Sequence, residues 1–420
     1  MNVVVIGSGG REHAICESIA KSKKIKKLFC IPGNGGTASI ANNIQLNLNN
    51  FKEIKNFIKT NKVNLVIVGP EKPLVDGLVD FLEENKIKVF GPNRIASQLE
   101  GSKIFTKNLC KEYSIPSADF GIFEQLEAAQ EFIKNSNYPL VVKADGLAAG
   151  KGVYICENFK NANTAINEIF NGKFGSSNKV LIEEFLDGEE MSFFIISDGK
   201  TIKKFGTAQD HKRVNEGDLG PNTGGMGAYS PSRFENKELD EKILNKIIQP
   251  TLKALKNLNT NFKGFLYAGL MIVNNEPYLI EYNVRMGDPE CQTILPRLKT
   301  DFFTIVNAIV EEKLEQIDIE WDSKKTLSIV LCSNGYPSNF KKNIEIKNLK
   351  KISLDENEFI FHAGTKMIDS NIFSTGGRVL NIVVKSKNFE ESRDQALKIL
   401  KKIDWKNGFY RKDIGYKVIN

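Results

Sequence analysis

The sequence lacks a run of about 18 apolar residues, the length that a membrane-spanning helix requires. Its start, Met1-Asn-Val-Val-Val-Ile-Gly7, also lacks the basic residues and the small-residue cleavage site of a signal peptide. These two absences predict a cytoplasmic protein that does not associate with membranes. The opening apolar run instead predicts a first β-strand.

Cysteine and histidine are scarce and scattered. The 6 cysteines include no C-x-x-C pair, and the 3 histidines are far apart. This spacing argues against a zinc site and favours reduced, structural thiols. The net charge of +7 comes from 58 basic and 51 acidic residues that are interleaved, without an aromatic–basic stripe. We therefore expect small phosphorylated molecules rather than nucleic acid as partners.

A chain of 420 residues is too long for one ordinary core. Strand and helix signals alternate over the first hundred residues, which predicts a doubly wound parallel sheet. We predict an α/β protein in three parts: a Rossmann-like N-terminal domain at residues 1–101, a central domain at 102–325 and a C-terminal α+β domain at 326–420. The central domain includes a small α+β flap at about 117–187.

The first glycine-rich turn, Gly7-Ser-Gly-Gly-Arg-Glu-His13, follows a strand and opens a helix. A dinucleotide fingerprint would have glycine in place of Glu12 and an acid at the end of the second strand, so a nicotinamide cofactor is disfavoured. Backbone amides at a helix start suit an anion. We predict that a phosphorylated substrate contacts Gly9, Gly10 and Arg11. A plain strand–helix turn is the alternative.

The second glycine-rich segment, Lys143-Ala-Asp-Gly-Leu-Ala-Ala-Gly-Lys-Gly152, is one residue short of a P-loop. Gly152 also stands where a P-loop has Ser or Thr, and Val153–Cys156 predicts a strand rather than a helix. The pattern favours a glycine turn between two strands that covers phosphates, with Lys143 and Lys151 adding charge. A glycine hairpin without a ligand is the alternative.

The third glycine-rich segment, Gly217–Gly227, follows the cluster Asp210-His-Lys-Arg213 with its three potential cations. The whole stretch from Asp210 to Ser230 has no clear helix or strand signal. Long loops of this kind are usually functional or mobile. We predict a lid that closes over substrate, with a disordered surface loop as the alternative.

Two acidic strands carry further signals. Side chains alternate along a strand, so Glu183 and Glu184 face opposite ways and cannot share one role. Taken alone, the segment 180–190 is better explained as an exposed hairpin.

The side chains of Glu281, Asn283 and Arg285 face the same way along the second strand. Carboxylate and amide oxygens suit Mg²⁺, and an arginine can bind an anion through two hydrogen bonds. A salt-bridged strand face is the alternative for these three.

The glycine flap, the Glu-Glu strand end and Glu-x-Asn-x-Arg together resemble the ATP-grasp fold. Further motifs resemble one family, the phosphoribosylamine–glycine ligases (glycinamide ribonucleotide synthetases) of purine biosynthesis, along essentially the whole chain. These motifs are Gly7–His13, Pro32–Thr37, Val68–Glu71, Leu99–Lys103, Lys143–Gly152, Gln209–Arg213, Gly220–Pro231, Phe361–Lys366, Gly376–Leu380 and Arg411–Gly415. Without a further domain, the single-activity form of the enzyme is expected.

The resemblance implies a monomeric enzyme that joins glycine to 5-phosphoribosylamine at the expense of ATP, with Mg²⁺ or Mn²⁺ as cofactor. Glycyl phosphate is the implied intermediate, and glycinamide ribonucleotide, ADP and phosphate are the implied products. Another ATP-grasp ligase or a carboxylase is the first alternative. A non-catalytic nucleotide-binding or nucleic-acid-binding protein is the second.

Carried over residue by residue, the resemblance implies metal ligands at Glu281 and Asn283 and catalytic roles for Arg285 and Lys143. The implied ATP contacts are Lys103, Lys143, Gly146, Gly150, Lys151, Gly152, Glu183, Glu184, Phe185, Leu186, Glu190, Arg213 and Asn222. The implied substrate contacts are Gly9, Gly10, Arg11, Glu71, Asp210, His211, Lys212 and Arg285. One departure is that Phe265–Val273 carries no acid for a second metal, which leaves Asp288 and Glu290 as candidates.

Overall fold

The structure is a computed structural model and describes residues 1–147, 152–175 and 179–419. Its N-terminal strands are β1 (Asn2–Gly7), β2 (Lys27–Pro32), β3 (Asn42–Asn43), β4 (Leu65–Val68) and β5 (Val89–Phe90), and its helices are α1 (Gly10–Ala20), α2 (Phe51–Thr60), α3 (Glu71–Val75) and α4 (Leu78–Glu84). The strands form a parallel sheet in the order β3-β2-β1-β4-β5. The predicted parallel sheet is confirmed; the apolar side chains of β1 are fully buried, as both faces of such a sheet require.

Two helices, α5 (Gln98–Gly101) and α6 (Lys103–Glu112), lead into the flap. The flap contains β6 (Phe120–Phe123), α7 (Leu126–Lys134), β7 (Leu140–Ala144), β8 (Val153–Cys156), α8 (Phe159–Phe170) and β9 (Val180–Glu184). Its antiparallel strands run in the order β6-β9-β7-β8 and have their own apolar core with the two helices. The second glycine-rich segment therefore connects two paired strands, as predicted, with Lys143 opposite Val153.

The central strands are β10 (Glu189–Asp198), β11 (Ile202–Asp210), β12 (Arg213–Asn215), β13 (Leu219–Asn222), β14 (Gly227–Ser230), β15 (Lys263–Val273) and β16 (Glu276–Asn283). The helices here are α9 (Lys237–Ile243), α10 (Gln249–Asn257), α11 (Glu290–Ile294) and α12 (Phe302–Val310), with a π-helical turn at Leu244–Ile248. The stretch 210–230 was expected to lack regular structure. That expectation is wrong, because β12 pairs with β13 and β14 joins the main sheet.

The C-terminal elements are β17 (Lys325–Ser333), β18 (Glu345–Ile346), β19 (Glu358–His362), β20 (Thr365–Ile368), β21 (Asn371–Ser374), β22 (Arg378–Ser386), α13 (Phe389–Lys402), β23 (Gly408–Phe409) and α14 (Tyr416–Ile419). One long sheet runs β16-β15-β10-β11-β14-β17-β22-β19, with β23 beside β17. Because β14 pairs with β17, this sheet crosses the predicted domain boundary at residue 325. Among the described residues, every helix is too short or too polar to cross a membrane.

Two histidines, the buried His13 and the half-buried His362, join the N-terminal helix α1 to the C-terminal strand β19. Nδ1 of His13 accepts a hydrogen bond from the main-chain N–H of His362 at 2.8 Å. Burial lowers the pKa of His13 to about 3 and that of His362 to about 4. Both rings are therefore neutral at pH 7, and this junction requires them to stay neutral.

Acidification below pH 6.5 should weaken the fold before most carboxylates titrate. Unfolded histidine takes up a proton near pH 6.5, whereas the folded rings do so only at pH 4 or below. The free energy of unfolding therefore has its full value above pH 6.5 and decreases as the pH falls toward 4. The expected loss for His362 alone is about 2 kcal/mol between pH 6.5 and pH 5. Urea denaturation between pH 7 and 5 measures it. A His13→Gln variant should lose less over the same range, and equal pH dependence in both proteins would contradict the assignment.

Candidate active site

A cavity of about 610 Å³ lies where the N-terminal sheet, the flap and the central sheet meet. This volume is typical of small-molecule sites. Most of the predicted site residues line it: Gly9, Arg11, Glu71, Lys103, Lys143, Gly146, Glu183, Glu184, Phe185, Leu186, Glu190, Asp210, Lys212, Asn222, Glu281, Asn283 and Arg285. Segments distant in the sequence thus converge on one cavity, as the motifs predicted.

Four predicted residues stand apart from the cavity lining in the described part of the chain: Gly10, Gly152, His211 and Arg213. Gly10 is buried in α1, and Gly152 extends the pairing of β7 with β8. Arg213 donates to the carbonyl of Gly220 at 2.8 Å. Gly150 and Lys151 lie outside the described residues. Ligand contacts at these six positions remain predictions.

His211 is not one of the cations expected beside the third glycine-rich segment. Burial lowers its pKa to about 4, and the nearby charge of Arg411 acts in the same direction. Its Nε2 accepts a hydrogen bond from the main-chain N–H of Gly415 at 3.2 Å. His211 is thus neutral at pH 7 and contacts the C-terminal segment.

Carboxylates satisfy the amides of the turn at the start of α1, one from the turn itself and one from a remote segment. The N–H of Gly9 donates to Glu12 Oε2 at 2.6 Å, and the N–H of Arg11 donates to Asp288 Oδ2 at 3.1 Å. Gly7 and Gly69 make room for Glu12, because a Cβ at either position would lie within 2.4 Å of that side chain. In this structure two carboxylates accept from the amides of Gly9 and Arg11, and substrate contacts at Gly9, Gly10 and Arg11 remain a prediction.

Glu183 lies buried between two buried lysines at the end of β9. Its Oε2 is 2.6 Å from Nζ of Lys143, and its Oε1 is 3.2 Å from Nζ of Lys107. Glu184 is exposed and accepts from the main-chain N–H of Asp119 at 3.0 Å. Strand alternation therefore separates the two glutamates, and Lys143 is paired in the absence of nucleotide.

Glu281 and Asn283 lie at the end of β16 and line the cavity. Among the described residues, neither side chain has a hydrogen-bond partner or an ion pair. Removal from water opposes ionisation of Glu281, but the charges of Lys212, Lys103 and Lys143 outweigh it and lower the pKa of this carboxyl. One ionised carboxylate and one free amide oxygen fit a hard divalent cation. Within the described ranges, no three His, Cys, Asp or Glu side chains converge as a metal cluster.

Arg285 follows β16 and is held by acids from other elements. Its Nη2 lies 2.7 Å from Glu100 Oε1, and its Nε lies 3.4 Å from Glu71 Oε2. The other oxygen of Glu100 accepts from the N–H of Val284 at 2.8 Å. Although burial opposes it, Arg285 and Arg11 lower the pKa of Glu71 to about 2. Glu71 is therefore ionised throughout the physiological range.

A carboxylate-rich wall faces this arginine. Burial raises the pKa of Asp210 to about 8, although Lys212 opposes the shift, and the charge of Glu290 adds to it. Lys212 forms an ion pair with Glu190. Burial lowers the pKa of Lys212, but the charges of Glu190 and Asp210 outweigh this effect and raise it above its usual value. Burial and the neighbouring carboxylates thus oppose ionisation of Asp210, whereas Lys212 favours it.

A second cavity of about 770 Å³ adjoins the first, and Ser8, Gly9, Asp288 and Arg378 line both. Lys366, on β20, lines its far side. The guanidinium of Arg378 lies 3.4 Å from Asp288 Oδ1 and donates to the carbonyl of Gly224. The glycine turn at residues 7–13 thus borders a second compartment, lined by the N-terminal and C-terminal parts, whose charged residues are Asp288, Asp369, Lys366 and Arg378.

Sequence reasoning missed several residues that line the active cavity, among them Glu100, Lys107 and Arg378. Lys107 follows Lys103 by one helical turn on α6, a spacing that places both lysines on one face. Glu100 and Arg378 lie within recognised motifs, but their chemical partners are remote in the sequence. Their roles therefore required the tertiary structure.

Family models for phosphoribosylglycinamide synthetase match the chain in order: the N domain at residues 1–100, the ATP-grasp (A) domain at 101–291 and the C domain at 326–417. The chain belongs to this family. Relatives named phosphoribosylamine–glycine ligase are 45% identical in Brucella melitensis, over 100% of this chain and 98% of that protein, and 44% identical in Mesorhizobium japonicum, over 100% and 99%. The protein is thus an ATP-grasp ligase.

Solved structures agree. The phosphoribosylamine–glycine ligase of Thermotoga maritima superimposes with a TM-score of 0.85 and 33% identity, over 99% of this chain and 100% of that chain. The biotin carboxylase domain of the Hydrogenobacter thermophilus 2-oxoglutarate carboxylase gives a TM-score of 0.73 at 17% identity, over 97% and 91%. The second likeness shows the ATP-grasp fold alone, so the carboxylase alternative is not favoured.

The buried ion network around Glu183 can be tested by stability. Glu183→Gln removes the only carboxylate between Lys107 and Lys143 among the described residues, and leaves two buried ammonium groups. We expect a loss of about 3–5 kcal/mol in the free energy of unfolding, measured in urea without nucleotide. Glu184→Gln is the matched control, with an expected change below about 0.5 kcal/mol because that side chain is exposed. Equal losses would contradict the network.

Proposed function

We propose that this family member joins glycine to 5-phosphoribosylamine in the cavity between the N-terminal sheet, the flap and β16. The observation that carries the proposal is that four cationic side chains act on the Glu281 carboxylate in a cavity that Asn283 also lines; the four are Lys212, Lys103, Lys143 and Arg285. Cations and a metal site together suit phosphoryl transfer. The full-length family match supports the assignment of glycine and 5-phosphoribosylamine as the substrates.

The flap side of the cavity binds ATP. Lys103 and Lys143 face the phosphates; Lys103 donates to the carbonyl of Gly146 at 2.9 Å, which fixes the start of the glycine turn. The segment Glu183–Leu186 borders the adenine, and Glu190 accepts from the ribose hydroxyls. Gly150, Lys151 and Gly152 from the flap and Arg213 and Asn222 from the third glycine-rich segment complete the proposed contacts.

Glu281 and Asn283 would hold a divalent cation, Mg²⁺ or Mn²⁺, which would supply positive charge against the transferred phosphoryl group. Gly269 lies opposite Glu281 on β15, so this strand supplies no second acid. Of the two candidates for a further ligand, Asp288 is already engaged by Arg11, Gln292 and Arg378. Glu290 faces the cavity and accepts from Ser192 at 3.2 Å, so it is the better candidate.

Arg285 orients the glycine carboxylate for the first step. An oxygen of that carboxylate attacks the γ-phosphorus, the bond to ADP breaks, and glycyl phosphate forms. The amine nitrogen of phosphoribosylamine then attacks the acyl carbon, phosphate leaves, and the amine loses a proton. Neither step requires a protein nucleophile, so the residues act by orienting the reactants and stabilising charge.

Phosphoribosylamine spans the two cavities. Its ribosylamine end lies against Gly9, Gly10, Arg11 and Glu71, which places the amine beside Arg285. Since carboxylates accept from the amides of Gly9 and Arg11, its phosphate lies in the second cavity, where Lys366 and Arg378 supply positive charge. On the opposite side of the main cavity, Asp210 and Lys212 form the wall, and His211 supports it from behind.

Three further proposals concern the whole molecule. We propose domains at residues 1–101, 102–325 and 326–420, with the flap at about 117–187; the matched family models divide the chain near the first boundary. We also propose a monomer that acts in the cytoplasm, where purine precursors are made. Neither membranes nor nucleic acid are proposed partners.

ADP release should depend on glycine. With ATP, Mg²⁺ and phosphoribosylamine formed in solution from ribose 5-phosphate and ammonia, we expect one ADP for each glycinamide ribonucleotide formed. A coupled ADP assay and mass spectrometry of the product measure the two quantities. Equal ADP release without glycine, or release driven by bicarbonate instead, would overturn the assignment.

Glu281→Ala should abolish metal-dependent turnover. We expect turnover to fall about 100-fold or more, because the charge that neutralises the transferred phosphoryl group is no longer held. Glu276→Ala is the control: it lies on the same strand but pairs with Lys242 and Lys246. Calorimetric titration of Mg²⁺·ADP provides a second measurement. Undiminished Mg²⁺ dependence in the Glu281 variant would contradict the metal assignment.

A further inference from the structure

The lid hairpin, which we define as residues 213–222 (β12, the turn after it and β13), forms one edge of the ATP cavity. Arg213 pairs with Asn222 across this hairpin. Asn222 and the next two residues, Thr223 and Gly224, line the cavity. Any displacement of Arg213 therefore shifts its strand partner at the cavity wall.

Arg411 holds this hairpin from the C-terminal side. It is 1% exposed, and its Nη1 donates to the carbonyl of Arg213 at 2.9 Å and to Asp218 Oδ1 at 2.8 Å. Its Nε and Nη2 donate to the two oxygens of Asp413 at 2.8 and 2.7 Å. One buried guanidinium thus connects both ends of the hairpin turn to the C-terminal segment.

Neighbouring residues strengthen the same attachment. The main-chain N–H of Gly217 donates to Asp413 Oδ2 at 2.8 Å, and Tyr416 donates to Asp218 Oδ2 at 2.9 Å. Lys417 lies 3.1 Å from the same oxygen of Asp218. Residues 216–218 at the tip of the lid hairpin carry no apolar side chain, whereas Val214 at its base packs in the C-terminal core. The charged contacts therefore hold the tip.

Opening the hairpin would separate Arg411 from Asp218 and leave a buried charge partly uncompensated, which is costly. A wall fixed in this way excludes water from the cavity. Exclusion matters here because water attacking glycyl phosphate would regenerate glycine and release phosphate, and the ADP already formed would be wasted. The side chain of Arg411 does not reach the cavity lining, so its effect is indirect.

We propose that Arg411 is a positioning residue that fixes the lid hairpin over the cavity and so keeps ATP use coupled to ligation. The inference rests on the proposed function. The third glycine-rich segment is accordingly an anchored wall of the site, and the C-terminal segment 411–417 is part of the active-site architecture although it contributes no catalytic group.

The ratio of ADP released to glycinamide ribonucleotide formed tests this proposal. The wild-type ratio should be close to one, whereas Arg411→Ala should raise it about threefold or more, because water gains access to the intermediate. Arg411→Lys, which keeps one charged contact, should give an intermediate ratio. Lys412→Ala is the matched control: it removes a neighbouring positive charge from an exposed side chain, and its main-chain bond to Glu216 is retained.

Asp218→Asn tests the same contact from the hairpin side, which matters if Arg411→Ala does not fold. Asp218→Asn should also raise the ratio of ADP to product. Trypsin should cleave faster after Arg213 in Asp218→Asn and in Arg411→Ala than in the wild type. A ratio near one in folded Arg411→Lys and Asp218→Asn, with unchanged cleavage, would overturn the proposal. A wild-type protein that forms no product would instead contradict the proposed function itself.

Discussion

A row of charges of alternating sign, Arg11, Glu71, Arg285 and Glu100, connects the N-terminal sheet to the strand that carries Glu281. Each member is largely removed from water, so each depends on its neighbours for compensation. The row fixes the distance between the glycine turn before α1 and the end of β16. The two halves of the active cavity can face each other only while this row is intact.

The long sheet serves the same purpose on the other side. Pairing of β14 with β17 makes the C-terminal part continuous with the strands that carry the site. Two arginines of the C-terminal part contact segments beside the cavity: Arg378 donates to the carbonyl of Gly224, and Arg411 donates to the carbonyl of Arg213. A ligase that must shield an acyl phosphate benefits from walls built on a rigid sheet, because rigid walls exclude water without reorganising.

Charged side chains are paired differently at the two ends of the main cavity. At the flap end, Glu183 compensates Lys107 and Lys143, so this end is not simply a concentration of positive charge. At the β16 end, the Glu281 and Asn283 side chains line the cavity without a hydrogen-bond or ion-pair partner among the described residues, which suits the proposed cation. Catalysis by orientation and electrostatics is consistent with this arrangement, since the proposed chemistry needs no attacking side chain.

The sequence alone determined the parallel N-terminal sheet, the strand–glycine–strand flap and the shared direction of Glu281 and Asn283, because these follow from local periodicity. Its motifs also identified the family. Only the tertiary structure decided that Glu183 lies between two lysines, that His211 is neutral, that the amides of Gly9 and Arg11 are occupied, and that Arg411 anchors the lid hairpin. Those properties depend on burial and on partners remote in the chain, which no local pattern records.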